Sequence, residues 1–176
     1  SMNFRESVGS LALDTYLSRM IGKGYKVAIC EQVEDPKKAK GIVKRAVVRV
    51  VTPGMVIDAA LLSTEQARYL MAVWPDQKKK RIGIAFIDIS TGDFQFTEGT
   101  SQDLFDLIRA EAARYHPAEC IVPAGCGEDV TRFLHLVIPL VSPQDPGMFT
   151  REYAEDLLLR QFGETNPDLL PCAGYP

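Results

Sequence analysis

The chain has 176 residues, of which 46% are hydrophobic and 24% are charged, a composition typical of a globular protein with one core or a small domain plus an appendage. No apolar run approaches eighteen residues and no secretion signal is recognisable, so we expect a cytoplasmic protein with no membrane partner. The net charge of −3 hides an asymmetry: residues 1–50 hold ten Lys and Arg against five Asp and Glu (+5), and residues 51–176 hold ten against eighteen (−8). Only the first part is expected to face a phosphate backbone.

The first fifty residues predict a helix followed by two strands. An amphipathic helix over residues 11–21 is predicted by apolar residues at helical spacing, namely Leu13, Tyr16, Leu17 and Met20. Gly22 or Gly24 would end it. Residues 27–30 and 46–51 are β-branched, apolar runs that predict strands, and the second ends at a Pro53-Gly54 turn.

The densest positive charge lies between these two predicted strands. Five basic residues fall within nine positions, directly after a Glu34-Asp35-Pro36 turn signal: Lys37, Lys38, Lys40, Lys44 and Arg45. A charge run of this kind is typical of a solvated loop. The alternative is a segment that contacts nucleic-acid phosphates, since Lys and Arg supply most sequence-independent affinity.

The same stretch carries a family resemblance. Val-Ala-Ile-Cys-Glu-Gln from residue 27, Glu-Asp-Pro-Lys-Lys-Ala-Lys-Gly from residue 34 and Val-Val-Arg-Val-Val-Thr-Pro-Gly from residue 47 resemble the MutS family of DNA mismatch-repair proteins. The likeness extends upstream to Leu-Asp-Thr-Tyr-Leu at residue 13 and downstream to Phe-Ile-Asp-Ile-Ser-Thr-Gly-Asp-Phe at residue 86, so it covers most of the chain. It implies three parts: residues 1–53 as the end of mismatch-recognition domain I, 54–165 as connector domain II, and 166–176 as a truncated tail or linker.

The second part predicts three strands in a meander followed by alternating helices and strands. Residues 69–74, 81–89 and 93–97 are the strands, and Ser101 or Asp103 would cap the next helix, which His116-Pro117 ends. A strand at 119–123, parallel to one of the others, a helix near 128–134, a strand at 136–141 and a helix at 151–162 capped by Thr150 follow, with Tyr153, Leu157 and Leu158 inward. From Gly163 we expect loop or frayed chain.

This order is α/β with a mixed sheet flanked by helices, and a partial α+β domain precedes it. The family resemblance supplies the name of the fold, because the MutS connector is ribonuclease-H-like. The resemblance also implies a non-catalytic scaffold that links mismatch recognition to the core and contacts MutL and other MutS domains. The parent protein would bind mismatched double-stranded DNA as a homodimer and couple ATP binding to repair signalling.

Two functional elements of such a parent are not expected in this chain. No Gly-x-x-x-x-Gly-Lys-[Ser/Thr] loop occurs, so ATP and Mg²⁺ would bind in an ATPase domain outside the chain, and no cofactor is expected here. Phe4-Arg5-Glu6 has the letters of the family's Phe-x-Glu mismatch reader but stands too close to the first helix. We therefore expect a fragment without its mismatch reader.

An enzymatic alternative centres on Asp88. In ribonuclease-H-like nucleases a strand Asp joins other carboxylates to hold two divalent cations that activate water. The carboxylates that would have to converge on it are Asp93, Glu98, Glu119 and Glu128. We expect Asp93 to face solvent and Glu119 to begin a strand, and the acidic domain offers no basic groove for DNA.

Two other features bear on function. The cysteines Cys30, Cys120, Cys126 and Cys172 form no C-x-x-C pair, so we expect reduced structural thiols and no metal site. A second alternative is a stand-alone module that binds protein only. In either case, residues 97–106 and 142–149 are the predicted partner-facing surface, although Met148 and Phe149 could equally cap the core.

Overall fold

The computed structural model describes residues 4–34, 41–55, 68–76, 80–100 and 102–170, with side chains from residue 13 onward. Within these ranges the strands form two separate sheets. The first sheet has two strands and the second has five. No helix of the described residues is long and apolar enough to cross a membrane.

The N-terminal unit is one helix packed on a β-hairpin. Helix α1 (Phe4–Gly22) leads into β1 (Val27–Gln32), which pairs antiparallel with β2 (Arg45–Val51). Among the described side chains, the core of this unit consists of Leu17, Ile21 and Val51, with Val27 and Ile29 against them. The predicted helix and strands are thus found, and the helix begins seven residues earlier than the periodicity indicated.

The inward face of α1 differs from the prediction. Leu17 is buried as expected, but Tyr16 and Met20 are 64% and 47% exposed, and Ile21 takes the inner position. The physical reason is the width of the partner: two strands cover only a narrow stripe of the helix, so the aromatic and thioether flank stays outside. Leu13 is exposed as well.

The second unit is built on a mixed sheet with strand order β5-β4-β3-β6-β7. Its strands are β3 (Leu70–Asp76), β4 (Arg81–Asp88), β5 (Asp93–Thr100), β6 (Glu119–Pro123) and β7 (Val141–Gln144). The first three form the predicted antiparallel meander. β6 lies parallel to β3 and β7 lies parallel to β6, as a helical crossover requires. The fold class, α/β with a mixed sheet, is confirmed.

One face of this sheet carries the core. Residues alternate along β4 between buried and partly buried, so that Ile82, Ile84 and Phe86 point to one side. Helices α2 (Leu104–Tyr115) and α3 (Glu128–Val137) cover that side with side chains that include Ile108 and Leu134. α2 ends at His116, whose left-handed backbone (φ 48°) precedes Pro117, as predicted.

Two local predictions in the second unit are wrong. The strand expected at 136–141 is displaced: α3 continues to Val137, where Leu136 is 78% exposed, and the strand, β7, starts only at Val141. Asp103 precedes α2 without a side-chain cap bond and instead accepts a hydrogen bond from the Thr100 hydroxyl (2.6 Å). The other predicted cap, Ser101, lies outside the described residues.

The last helix, α4 (Arg151–Phe162), also differs from its prediction. The Thr150 hydroxyl accepts a hydrogen bond from the Tyr153 amide (3.4 Å), which confirms the cap. The expected inward stripe is wrong, since no residue of α4 is buried and Tyr153 and Leu157 are exposed. Residues 164–170 are irregular, as predicted, apart from a short 3₁₀ turn at Pro167–Leu169, but Leu170 is buried.

Candidate functional site

The two sheets meet at the turn that follows β2. Val51 belongs to the N-terminal core, and the next three residues, Thr52, Pro53 and Gly54, are buried as well. The turn contacts β3 and β6 of the second sheet. The Gly54 amide donates a hydrogen bond to Glu119 Oε2 (3.4 Å), across 65 positions of sequence. This hydrogen bond attaches the turn after the N-terminal unit to Glu119, the first residue of β6 in the second sheet.

Glu119 is the polar centre of this junction. It is 2% exposed, and its other oxygen, Oε1, accepts a hydrogen bond from the Ser142 hydroxyl (2.8 Å) on β7. A carboxylate removed from water is costly unless hydrogen bonds replace its hydration. The Gly54 amide and the Ser142 hydroxyl are such replacements, so the side chain ties the turn to two strands at once.

Gly54 is closely packed against the second sheet. A Cβ added there would lie 3.0 Å from Glu119 Cβ and 3.1 Å from Leu70 Cδ1. These distances are tighter than ordinary van der Waals contact, so a larger residue would require its neighbours to move by a few tenths of an ångström. The local sequence indicates only that Gly54 forms a turn, so the contact between Gly54 and Glu119 was not predicted. A lone Glu at the start of the apolar run Cys-Ile-Val was the available signal.

Asp88 ends β4 and organises the tight turn into β5. Its Oδ1 accepts hydrogen bonds from the Ser90 amide (2.9 Å) and the Ser90 hydroxyl (2.6 Å), and its backbone carbonyl accepts one from the Gly92 amide (2.8 Å). An Asp that bonds the backbone two residues later is a common turn device. Its Oδ2 is buried with no hydrogen-bond partner among the described residues.

Asp93, on the neighbouring strand, faces Tyr69 instead of open solvent. Tyr69 donates its hydroxyl proton to Asp93 Oδ2 (2.6 Å), and Gln95 donates to Oδ1 (2.9 Å). These bonds hold the pKa of the Asp93 carboxyl below its usual value. The bond to Asp93, with smaller effects from burial and from nearby charges, raises the pKa of Tyr69 to about 12.

The carboxylates that a nuclease centre would need are engaged separately. Glu98 forms an ion pair with Arg81 (2.5 Å), Glu128 is exposed in the first turn of α3, and Glu119 begins β6 as predicted but bonds the junction. Among the residues that the structure describes, no cluster of three His, Cys, Asp or Glu side chains could hold a metal ion. The geometry around Asp88 therefore gives the nuclease hypothesis no support.

The predicted basic segment is only partly described. Lys37, Lys38 and Lys40 lie outside the described residues. Lys44 and Arg45 are exposed at the start of β2, where the Lys44 amide donates to Glu34 Oε2 (3.3 Å) and the Lys44 carbonyl accepts from the Val33 amide (3.0 Å). The hairpin thus presents both cations at its end. Contact with a DNA backbone stays a prediction.

The predicted partner-facing surfaces are exposed in part. Residues 97–106 cover the end of β5 and the start of α2, with Phe105 39% exposed. The second region includes a short 3₁₀ turn, Pro146–Phe149, in which Asp145 accepts a hydrogen bond from the Gly147 amide (2.9 Å). Met148 on this turn is exposed and Phe149 is partly buried, so Met148 is the more available of the two to a partner.

Comparison with known proteins matches both units. The family description "MutS domain I" matches residues 5–60 and "MutS domain II" matches residues 68–171. The chain is similar to a DNA mismatch repair protein MutS of Methanosarcina acetivorans, with 45% identity over 174 residues that cover 92% of this chain and 19% of that protein.

Two further relatives carry the same name. The protein of Clostridium perfringens is 39% identical over 158 residues, which are 90% of this chain and 17% of that protein. The protein of Methanosarcina mazei is 53% identical over 121 residues, which are 64% of this chain and 13% of that protein. The chain therefore spans about a fifth or less of the length of the curated relatives it matches.

Proposed function

Because the chain belongs to the MutS family of DNA mismatch repair proteins and carries its domains I and II, we propose that it is a scaffold joining mismatch recognition to the rest of the protein. The observation that carries this proposal is the buried junction. The turn at Gly54 and the strand β6 at Glu119 are hydrogen bonded and closely packed, so a displacement of the hairpin would be transmitted to the central sheet.

The junction is tested by replacing Glu119 with Gln. The amide presents one oxygen and one NH₂ where the carboxylate presented two acceptors, so it cannot accept from both Gly54 and Ser142 in the same way. We expect faster hydrogen exchange at the Gly54 amide and a loss of stability of about 1 kcal/mol. Glu98→Gln, which alters a partly exposed ion pair on β5, is the matched control. Equal protection of Gly54 in both variants would contradict the scaffold role of this contact.

The second element of the proposal is sequence-independent contact with DNA through the basic segment. Lys37, Lys38 and Lys40, with Lys44 and Arg45, concentrate positive charge in an otherwise acidic chain. The two described members are exposed at the hairpin end, which leaves them accessible to a phosphate backbone. Phosphate contacts would hold the protein on the duplex and carry no base information.

The test is made in the full-length protein, with Lys37, Lys38 and Lys40 replaced by Ala. Affinity for matched and mismatched duplexes should fall alike, and the slope of log affinity against log salt should flatten by about 0.9 for each phosphate that the variant no longer neutralises. The chain offers a matched control, because Lys78, Lys79 and Lys80 also form a lysine cluster but belong to the acidic part. A slope unchanged relative to that control would remove the segment from the DNA interface.

For the whole protein, we propose that it binds mispaired DNA as a homodimer, uses ATP and Mg²⁺ in a domain outside this chain, and recruits MutL. Family membership supports these roles.

Met148 tests the MutL contact, since it is an exposed apolar residue on a predicted partner surface. Met148→Asp should weaken MutL binding about tenfold. Leu136→Asp, at a residue of α3 that is also exposed and lies outside both predicted surfaces, should not, and equal effects would exclude the surface.

A further inference from the structure

The flank of α1 left exposed by the narrow hairpin forms one side of a groove. Its described lining comprises eight residues from the helix, the following turn and the start of β1: Tyr16, Arg19, Met20, Lys23, Tyr25, Lys26, Val27 and Ala28. The groove has a volume of about 560 Å³, within the range of ligand sites. Its described lining includes neither Lys44 nor Arg45 of the basic segment, and no residue of the junction at Gly54.

Local backbone structure places these residues together. Tyr16 and Met20 lie on one side of α1 because residues four positions apart share a face, and Lys23 follows in the turn directly after the helix. The chain then reverses at Gly24, whose φ of +83° suits glycine. The Lys23 and Tyr25 amides both donate to the Met20 carbonyl (3.1 Å each), which turns Tyr25 back beside the helix and directs Val27 into the hairpin.

The lining combines one sign of charge with two accessible aromatic rings. Arg19, Lys23 and Lys26 are exposed, none of them forms an ion pair within the described residues, and no carboxylate is among the described lining residues. Tyr16 and Tyr25 are 64% and 61% exposed, and the other uncharged lining residues, Met20, Val27 and Ala28, are apolar. Three cations, an apolar lining and two accessible rings match a ligand that carries negative charge and flat apolar faces.

We propose that this groove binds a single-stranded stretch of nucleic acid, with the phosphates on the cations and a base stacked against a tyrosine. Channels that bind single strands combine a positively charged track with aromatic stacking surfaces, and bases in a duplex are already stacked. A carboxylate-rich protein segment satisfies the cations but leaves the rings without a partner. The inference deepens the proposed function, because it rests on DNA contact by the same unit and assigns an unpaired stretch to a second surface.

The experiment uses the 176-residue chain and fluorescence anisotropy of a labelled oligo-dT of about 20 nucleotides, at salt between about 50 and 200 mM. The double variant Lys23→Glu/Lys26→Glu should bind at least tenfold more weakly, with a salt slope lower by about 1.4, or about 0.7 for each contact. The matched control is Arg132→Glu/Arg160→Glu, which changes the net charge equally at exposed positions of α3 and α4. It should change affinity by no more than about twofold. Equal losses in both variants, or no binding by the unmodified chain at low salt, would overturn the proposal.

A second variant separates stacking from charge. Tyr16→Leu/Tyr25→Leu keeps apolar side chains at two exposed positions, so the fold should persist, and removes the rings. Affinity for oligo-dT should fall about fivefold or more. Affinity for a matched duplex of the same length should stay within about twofold. Unchanged oligo-dT binding would reject base stacking on the tyrosines and overturn the proposal. Displacement of oligo-dT by oligo-glutamate of equal charge at equal concentration would assign the groove to acidic protein segments.

The same duplex measurement keeps the two proposals distinguishable. If duplex binding depends on Lys37, Lys38 and Lys40 while oligo-dT binding ignores every groove substitution, the groove assignment fails and the proposed DNA contact stands. If groove substitutions abolish oligo-dT binding while the lysine variant leaves the duplex slope unchanged, the basic segment fails and the groove stands.

Discussion

The two units of the chain differ most in how much apolar surface each can bury. Among the described residues, the N-terminal core has three buried side chains, on α1 and β2, whereas the connector core has fourteen, from four strands, two helices and the loops that follow β6 and α3. Six of the seven residues of β2 are exposed. A two-stranded hairpin is marginal in water unless something covers it. The N-terminal unit therefore depends on α1 and on the junction at Gly54, whereas the fourteen buried side chains of the connector core include none from α1 or from this turn.

This difference suits a scaffold between a recognition element and a core. A unit with a small core can open at low cost while the junction keeps its end attached to the sheet, and the elements that move in proteins are drawn from the less stable parts. If the units differ in this way, substitutions in the connector core should lower the free energy of unfolding the most, and those at the edge of its sheet the least.

The connector core should be the most sensitive part of the chain. Phe86 is 1% exposed and stacks on Tyr115 with ring centroids 4.2 Å apart, so Phe86→Ala should cost about 3–5 kcal/mol in urea unfolding. Phe94→Ala, on the neighbouring strand at a position 41% exposed, is the control and should cost less than about 1 kcal/mol. Similar losses would mean that the core does not lie on this face of the sheet.

The N-terminal core should open without the connector. Leu17 is 3% exposed, and Leu17→Ala should cost about 2 kcal/mol, at the low end for Leu because so few neighbours surround it. Hydrogen exchange should show lost protection in β1 and β2 and unchanged protection in β3 and β4. If all four strands lose protection together, the units fold as one and the contrast between them is wrong.

The junction should respond to a single methyl group. Gly54→Ala places a Cβ within 3.0 Å of Glu119 Cβ, and overpacking of this kind costs about 1–3 kcal/mol. Gly22→Ala is the matched control, since nothing lies within 4 Å of its added Cβ at the end of α1. Thermal unfolding should separate the two. Equal melting temperatures would show that the turn can withdraw from the sheet without loss.

The smallest effect concerns protons at the edge of the sheet. Tyr69 should titrate with a pKa of about 12, and the Asp93→Asn substitution should return the pKa of Tyr69 toward 10. Because the folded pKa is raised, the Tyr69 contribution to stability is complete below pH 10 and is lost as pH rises toward 12. The lowered pKa of Asp93 acts oppositely: its contribution is present above its unfolded pKa near 3.9 and is lost in more acidic solution. Ultraviolet titration against a Tyr69→Phe variant checks this, and an unshifted phenol would exclude the Tyr69–Asp93 bond in solution.

Elements with a strong local period were predictable. The three strands of the meander and the end of α2 before His116-Pro117 follow from residues a few positions apart, so the sequence reports them directly. The predictions fail where apolar residues at regular spacing are not buried. Residue 136 belongs to an apolar run that was assigned to a strand, yet it lies in α3 and faces water. α4 has the spacing of an inward stripe and buries none of it.

The sequence by itself determined the family, the order of elements and the charge asymmetry between the two units, because each is a property of residue identity and short spacing. Only the tertiary structure decided which hydrogen-bond partners each carboxylate has. Glu119 and Gly54 are 65 positions apart, and Tyr69 and Asp93 are 24 apart. No local pattern encodes such pairs, since their hydrogen bonds exist only after strands pair and exclude water. The groove beside α1 has the same origin: the width of the hairpin, set by pairing, leaves Tyr16 and Met20 outside.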